Sequence, residues 1–381
     1  MINRTVRSAL LVLVSFGLAA CGSGATASPS SAPTSEATRP RPVQTGGTFG
    51  VTGSMTTPRG GQTATLLQDG RVLLVGGHDG DSVLASAELF SPMTDSFSPT
   101  GSMSTPRENQ VAALLSDGRV LIAGGGPSGD LNTAEVYDPK TGKFSLTGSM
   151  TTVRGGPAAV TLADGNVLVV GGTDDNNDLA SAEIYDPMTG RFTATGSMSV
   201  PRNSPVATLL ADGRVLVSGG LNGADPLASA EIYDPTTGQF TATGSMTTPR
   251  AADTVTLLPD GRCLAVGGFG PDSDLATAEL YDPTTGIFTA TGTMSTVREG
   301  QVAVPLSTGK VLVAAGFDAN QNIDISSAEL YDPVSGTFTP TGSLTSGRED
   351  STATVLQDGR VLVAGGTVGI DDVASAEIYQ P

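Results

Sequence analysis

Between Phe49 and Pro381 the apolar positions of this chain recur about every 48 residues, seven times over. In the first copy the small and β-branched residues Thr63, Ala64 and Thr65 precede Asp69-Gly70. The unbroken apolar run Val72-Leu73-Leu74-Val75 follows, then Gly76-Gly77, Glu88-Leu89-Phe90 and Phe97. Short apolar runs bounded by Gly, Pro and Asp read as strands. Asp-Gly between two of them reads as a tight hairpin turn, since glycine accepts positive φ at little cost. A run that is apolar at every position predicts a strand covered on both faces. Tyr137, Tyr185, Tyr233, Tyr281, Tyr331 and Tyr379 take the place of Phe90 in later copies, and a turn such as Asp186-Pro187-Met188-Thr189-Gly190 leads into a fourth strand at Phe192. No segment of helical length carries a 3.6-residue period. The pattern predicts an all-β chain.

The turn glycines Gly70, Gly118, Gly165, Gly213, Gly261, Gly309 and Gly359 are spaced 48, 47, 48, 48, 48 and 50 residues apart. Both irregularities fall between the Gly pair and the Ala-Glu step, where a loop tolerates them and packed strands do not. Sheets of four antiparallel strands, repeated and individually unable to bury both faces, predict a seven-bladed β-propeller. A parallel β-helix is disfavoured by the antiparallel hairpin signals. The last copy, ending at Tyr379-Gln380-Pro381, holds three strands, while Phe49 to Thr52 is a fourth strand with nothing before it. Joining the two closes the ring and removes two open edges.

Arg202, Asp212-Gly213-Arg214-Val215-Leu216-Val217-Ser218-Gly219-Gly220 and Ala230-Glu231-Ile232-Tyr233 together resemble a kelch repeat of the kind found in galactose-oxidase-like propellers. The resemblance extends over 49–381 and implies the propeller fold. The di-glycine departs to Ala315-Gly316 in the sixth copy, and Phe stands where many kelch repeats carry Trp. The copper oxidases of this resemblance imply two Tyr and two His ligands, with a Cys cross-linked to one Tyr. A chain with one histidine, His78, does not supply that set. Zinc sites built on His or Cys and a Ser-His-Asp triad away from His78 are excluded on the same ground.

Ahead of the repeats, Arg4 and Arg7 precede the apolar stretch from Leu10 to Ala20, too short for a mature transmembrane helix and consistent with an export signal over 1–20. Leu18-Ala19-Ala20-Cys21 resembles a bacterial lipobox, which implies cleavage before Cys21 and a lipid on its sulfur. The chain is then expected to be lipid-anchored to the cell membrane or outer membrane, with its folded part extracytoplasmic. Residues 21–48, rich in Gly, Ser, Ala, Thr and Pro, read as a flexible tether reaching about 90 Å when extended. Cys263, where the other copies have Val, reads as a buried apolar substitute.

Each copy also carries one arginine (Arg59, Arg107, Arg154, Arg202, Arg250, Arg298, Arg348) and one glutamate (Glu88, Glu135, Glu183, Glu231, Glu279, Glu329, Glu377). They read either as structural Arg–Glu pairs or as a cationic ring at the mouth of the axis. The loops after each Gly pair hold the variable residues. His78, Asp79, Asp81, Asp174, Asp175, Asp178, Phe269, Asp272, Asp274, Phe317, Asp318, Asp371 and Asp372 are the candidates for a binding face. No cofactor is expected. The Asp-rich loops offer oxygen ligands for Ca²⁺, yet none follows the twelve-position calcium loop.

The formal charge is −18, and −20 once Arg4 and Arg7 leave with the signal, which argues against nucleic acid as a partner. The expectation is a noncatalytic, membrane-tethered binding or scaffolding module of the envelope, recognising protein or glycan through one loop face. A carboxylate-based polysaccharide hydrolase or lyase and a structural subunit of an envelope complex are the alternatives.

Overall fold

The computed structural model describes residues 46–126 and 129–381. The expected signal, Cys21 and the tether up to Thr45 lie outside them. Seven four-stranded antiparallel sheets follow one another as blades. In blade 1, Thr63–Leu66, Val72–Val75, Ala87–Ser91 and Ser96–Pro99 pair in that order, and the other blades repeat the arrangement. The first strands are innermost, each beside the first strands of both neighbouring blades. Small residues suit that position, because seven strands converge there.

The second strand is buried along its whole length in every blade. Its alternate side chains face opposite neighbours. Leu73 and Val75 pack with Val120 and Ile122 of blade 2, whereas Val72 and Leu74 pack with Leu362 and Ala364 of blade 7. The core is therefore a set of layers between blades, and no blade buries its apolar faces alone. At roughly 1.5–3 kcal/mol per fully buried aliphatic side chain, these layers dominate cohesion.

Glycine is required at the Gly pair. A Cβ on Gly76 (φ +67°) would lie 2.6 Å from the Arg107 carbonyl of the next blade. One on Gly77 (φ +83°) would lie 2.4 Å from the Gly60 carbonyl of its own blade. Ala315 takes the first of these positions in blade 6 with φ 62°. The residue facing that position from the next blade is Gln110, Gln301 or Gln62 against Gly76, Gly267 and Gly365. Against Ala315 the corresponding residue is the shorter Ser351.

Closure follows the expected route. Thr48–Val51 pairs antiparallel with Ala376–Gln380, with Phe49 opposite Tyr379. The strand starts one residue before Phe49, and the Gly47 carbonyl already accepts the Gly342 N–H at 3.0 Å, so the fold reaches into the stretch read as tether. Phe49 and Tyr379 stack at 4.9 Å between centroids, like the Phe–aromatic pair of every other blade.

All six tyrosine hydroxyls bond a threonine of the preceding blade, from Thr100–Tyr137 at 2.8 Å to Thr341–Tyr379 at 2.9 Å. Blade 1 lacks this link because Phe90 has no hydroxyl, and Thr52 keeps the bond to the Asp95 carbonyl (3.0 Å), whose counterparts the other threonines also bond. Phe90→Tyr should restore the seventh bond across the closing junction and stabilise the chain by about 1 kcal/mol. Chemical denaturation of both chains measures this, and a destabilised variant would show that the site does not accept the hydroxyl.

Candidate binding face

The loops between second and third strands, and the segments entering the innermost strands, share one face and bond to each other. Gly60 exchanges backbone hydrogen bonds with His78 at 3.0 and 2.9 Å, and the equivalent residues do so around the ring. Several loops are miniature hairpins, among them His78–Asp79 with Ser82–Val83 and Phe317–Asp318 with Ile323–Asp324.

Beneath these loops lie the arginines, each 0% exposed. Arg59 Nη1 donates to the Gly76 carbonyl (3.0 Å) and the Ser86 carbonyl (3.1 Å), and Nη2 to Ser86 Oγ (3.0 Å) and Glu88 Oε1 (3.2 Å). Glu88 in turn accepts the N–H groups of Thr56 (2.8 Å) and Thr57 (3.1 Å). The other six blades repeat the unit, with Arg–Glu distances from 3.1 to 3.6 Å. Burial pushes the Arg59, Arg107, Arg154, Arg202, Arg298 and Arg348 guanidiniums below their ordinary pKa, against the pull of the paired glutamates. A side chain with no exposed surface presents no charge to a ligand, so the reading of a cationic ring at the axis is corrected to seven internal braces. The hydroxyl two residues before each glutamate, from Ser86 to Ser375, completes the brace and was missed. The recurring Ser/Thr-Ala-Glu triplet was its signal.

At the axis, Gly61, Asn109, Gly156, Ser204, Ala252, Gly300 and Asp350 all have left-handed backbone, with φ between 48° and 61°. Gly61 N–H donates to the Asp350 carbonyl (3.2 Å), Gly156 to Asn109 (2.9 Å), Ser204 to Gly156 (3.0 Å) and Gly300 to Ala252 (3.3 Å). The mouth of the axis is thus drawn into a collar of backbone hydrogen bonds.

The aspartates divide into three groups. Asp79, Asp81, Asp272 and Asp371 are exposed on the face. Others latch one blade to the next: Asp178 Oδ2 accepts the Gly223 N–H (2.5 Å), Asp274 Oδ2 that of Ala319 (2.5 Å) and Asp372 Oδ2 that of Gly80 (2.8 Å). Asp175 Oδ1 accepts the Asp130 N–H (2.7 Å), and Asp130 Oδ2 the Asp175 N–H (2.8 Å). Asp130 and Asp324, which latches Gly369, were missed, since their partners are backbone groups of another repeat. The third group shapes its own turn: Asp174 and Asp318 accept N–H groups two and three residues on. Asp274, Asp318 and Asp372 are buried, as is Phe317, and these four are corrected from exposed candidates to internal residues. Phe269 is half-buried. A cleft of about 490 Å³ opens between blades 3 and 4, lined by Asp175, Asn176, Asn177, Asp178, Pro201 and Asn222. Among the described residues no three His, Cys, Asp or Glu side chains gather in a way that would hold a metal ion.

The family model for the kelch motif matches residues 59–104, 109–151, 154–199 and 202–247, which are the turns and strands of four successive blades. Those four repeats match the kelch motif. No curated protein matches the chain in sequence. Among solved structures, a fungal alcohol oxidase of the AA5 family, in complex with copper, superposes with a TM-score of 0.74. It is 19% identical, over 88% of this chain and 76% of that one. That likeness is one of fold. The tyrosine and cysteine donors that a copper centre built on Tyr, His and Cys would use are engaged elsewhere in this propeller. Every tyrosine hydroxyl is tied to a threonine, and burial pushes the Cys263 thiol up to about 12, which keeps it protonated and inert.

One buried group does not fit its surroundings. Gln62, Gln110 and Gln301 donate Nε2 to the last carbonyl of the preceding blade's second strand, at 2.8, 3.0 and 2.8 Å. Asp253 takes that position in blade 5, and neither of its buried oxygens has a hydrogen-bond partner. Desolvation pushes its carboxyl up to about 6, against the pull of Arg250. Protonated, it has a donor to offer where the glutamines have theirs; ionised, it has none.

Two outcomes are expected. Arg202→Met leaves Glu231 buried without its cation and should cost about 3–5 kcal/mol. Arg71→Met, which removes the exposed pair with Asp69, should cost less than about 1 kcal/mol. Urea titrations compare the two, and equal losses would contradict the brace. Asp253 has a raised folded-state pKa, so its stabilising contribution is full below the unfolded value near 3.9 and is lost as pH rises through about 6. Asp253→Gln should therefore stabilise the chain at pH 8 and lose most of that advantage by pH 4.5. A gap independent of pH in melting experiments would overturn the assignment.

Proposed function

We propose that the chain is a noncatalytic binding or scaffolding module of a bacterial envelope, held at a membrane by a lipid on Cys21, which recognises a protein or glycan through the tips of its second-to-third-strand loops. One observation carries this reading. The residues common to the blades are absorbed into braces, stacks and latches, while the exposed tips differ from blade to blade. Asp79-Gly80-Asp81, Asn176-Asn177, Asn222-Gly223, Asp272-Ser273, Asn320-Gln321-Asn322 and Gly369-Ile370-Asp371 are among these exposed stretches. Their polar character suits a wet, hydrogen-bonding interface with glycan hydroxyls or a polar protein surface. The net charge of −18 over the full chain argues against a polyanionic partner.

Anchor and face are tested separately. In cells fed a labelled fatty acid, the intact chain should carry label and sediment with membranes, whereas Cys21→Ala should do neither. Label on the variant, or none on the parent, overturns the anchor. Crosslinking on intact cells should capture a defined partner that is lost when Asp174 to Asp178 are replaced by Gly and Ser. Capture unchanged by tip replacements around the whole ring would exclude the loop face.

A further inference from the structure

His78, the sole histidine of the chain, stands where blade 1 meets both of its neighbours. Its Nε2 lies 3.5 Å from Asp372 Oδ1 of blade 7, and its Nδ1 lies 3.3 Å from Glu108 Oε2 of blade 2. The Nδ1–Glu108 contact is an ion pair and not an aligned hydrogen bond, so it holds only when the imidazole is charged. We propose that His78 is a proton-operated clamp, which in its charged form ties blades 7, 1 and 2 together at the junction where the ring closes and in its neutral form releases one arm.

The surroundings hold the ring in place for this role. The His78 backbone is pinned to Gly60 in both directions, so the imidazole cannot leave with its loop. Asp372 is fixed by the Gly80 N–H (2.8 Å) and by Thr367 Oγ1 (2.8 Å), whereas Glu108 keeps a third of its side-chain surface in water and is the arm free to move. At 15% exposure the imidazole still reaches solvent protons.

The charged groups on the packed elements favour the cation. They are Asp79 and Asp81 on its own hairpin, Asp371 and Asp372 on that of blade 7, Glu349 and Asp350 entering the innermost strand of blade 7, and Glu108 entering that of blade 2. The cations of these segments, Arg59, Arg107 and Arg348, are buried and turned to Glu88, Glu135 and Glu377. A cluster of carboxylates around one imidazole makes the imidazolium the better-solvated form.

A single histidine gives a single ring signal, so the full chain labelled only at histidine can be titrated by NMR. The midpoint should be lower in Glu108→Gln and in Asp372→Asn than in the parent. A midpoint that Glu108→Gln leaves in place overturns the clamp. Thermal melts give the second reading. The clamp's contribution is present where the imidazole is charged and is lost as pH rises through its midpoint. The parent should melt about 2 °C above His78→Gln at pH 5.5 and level with it at pH 9. Asp253 titrates in both chains and cancels from the comparison. A gap of the same size at both pH values also overturns the proposal, and if His78→Gln does not fold, Glu108→Gln takes its place in the melts.

Discussion

A guanidinium removed from water needs acceptors, and every blade supplies them to its two terminal nitrogens while leaving Nε buried without one. Arg59 finds the Gly76 carbonyl, the carbonyl and hydroxyl of Ser86 and the carboxylate of Glu88. Those groups come from the end of the second strand, the loop after it and the start of the third. One side chain therefore sets the distance between three segments whose sequence connection varies in length. Desolvating an ion pair costs several kcal/mol per charge, and the brace offsets it through geometry, with charge-assisted bonds to groups that would otherwise be unpaired. Glu88 extends the brace to the N–H groups of Thr56 and Thr57, which fixes the approach of the chain to the innermost strand.

From this brace the rest of the ring follows as neighbour-to-neighbour contact. Fixing the Gly pair brings the first glycine against the next blade, where Gln62, Gln110 and Gln301 reach across. Fixing the entering segment brings the left-handed residues close enough to join in the collar, and fixing the loops lets aspartates reach the next turn. Tyr–Thr bonds add a further belt toward the rim. Each link is worth on the order of 1 kcal/mol, and each couples one blade only to the next. A ring of such links has a weakest junction wherever one is absent. At blade 1 the Tyr–Thr bond is missing, while the His78 contacts and the bonds of Arg360 to Asp95 (3.0 Å) and the Pro92 carbonyl (2.9 Å) reinforce the same seam.

Much of this architecture was legible in the sequence, and what was not shares one cause. The period, the four strands, the turn glycines and the closure through Phe49 and Tyr379 are carried by the residues that form them. The Arg–Glu spacing likewise announced a pair, though not that Ser86 completes it. The latches were hidden because Asp274 and Asp372 bond backbone N–H groups in another repeat, and every residue but proline has an N–H. Their carboxylates therefore looked like solvated loop charges, and the face appeared more acidic than it is. Phe317 lies in a variable loop, where an exposed aromatic and one folded back over a blade read alike, and its hairpin buries it.

Departures from the repeat carry different weights once the contacts are known. Ala315 breaks the di-glycine rule yet keeps the left-handed backbone of the position, with the short Ser351 at the corresponding place in the next blade. Phe90 gives up a hydroxyl and keeps its ring stack at 4.9 Å. Asp253 is different. It exchanges a neutral donor for an acid in a buried position, neither of its oxygens has a hydrogen-bond partner, and Ser218 Oγ in the preceding blade is likewise buried without one. A carboxyl in that setting is comfortable only when it holds its proton. The junction between blades 4 and 5 is therefore firmest in acid, as is the junction held by His78 on the other side of the ring. The two groups arrive at the same sign by opposite physics: desolvation disfavours the charged acid, and neighbouring carboxylates favour the charged base. A chain of this net negative charge gains from proton uptake in general, because self-repulsion falls, but these two sites make the gain local to particular junctions.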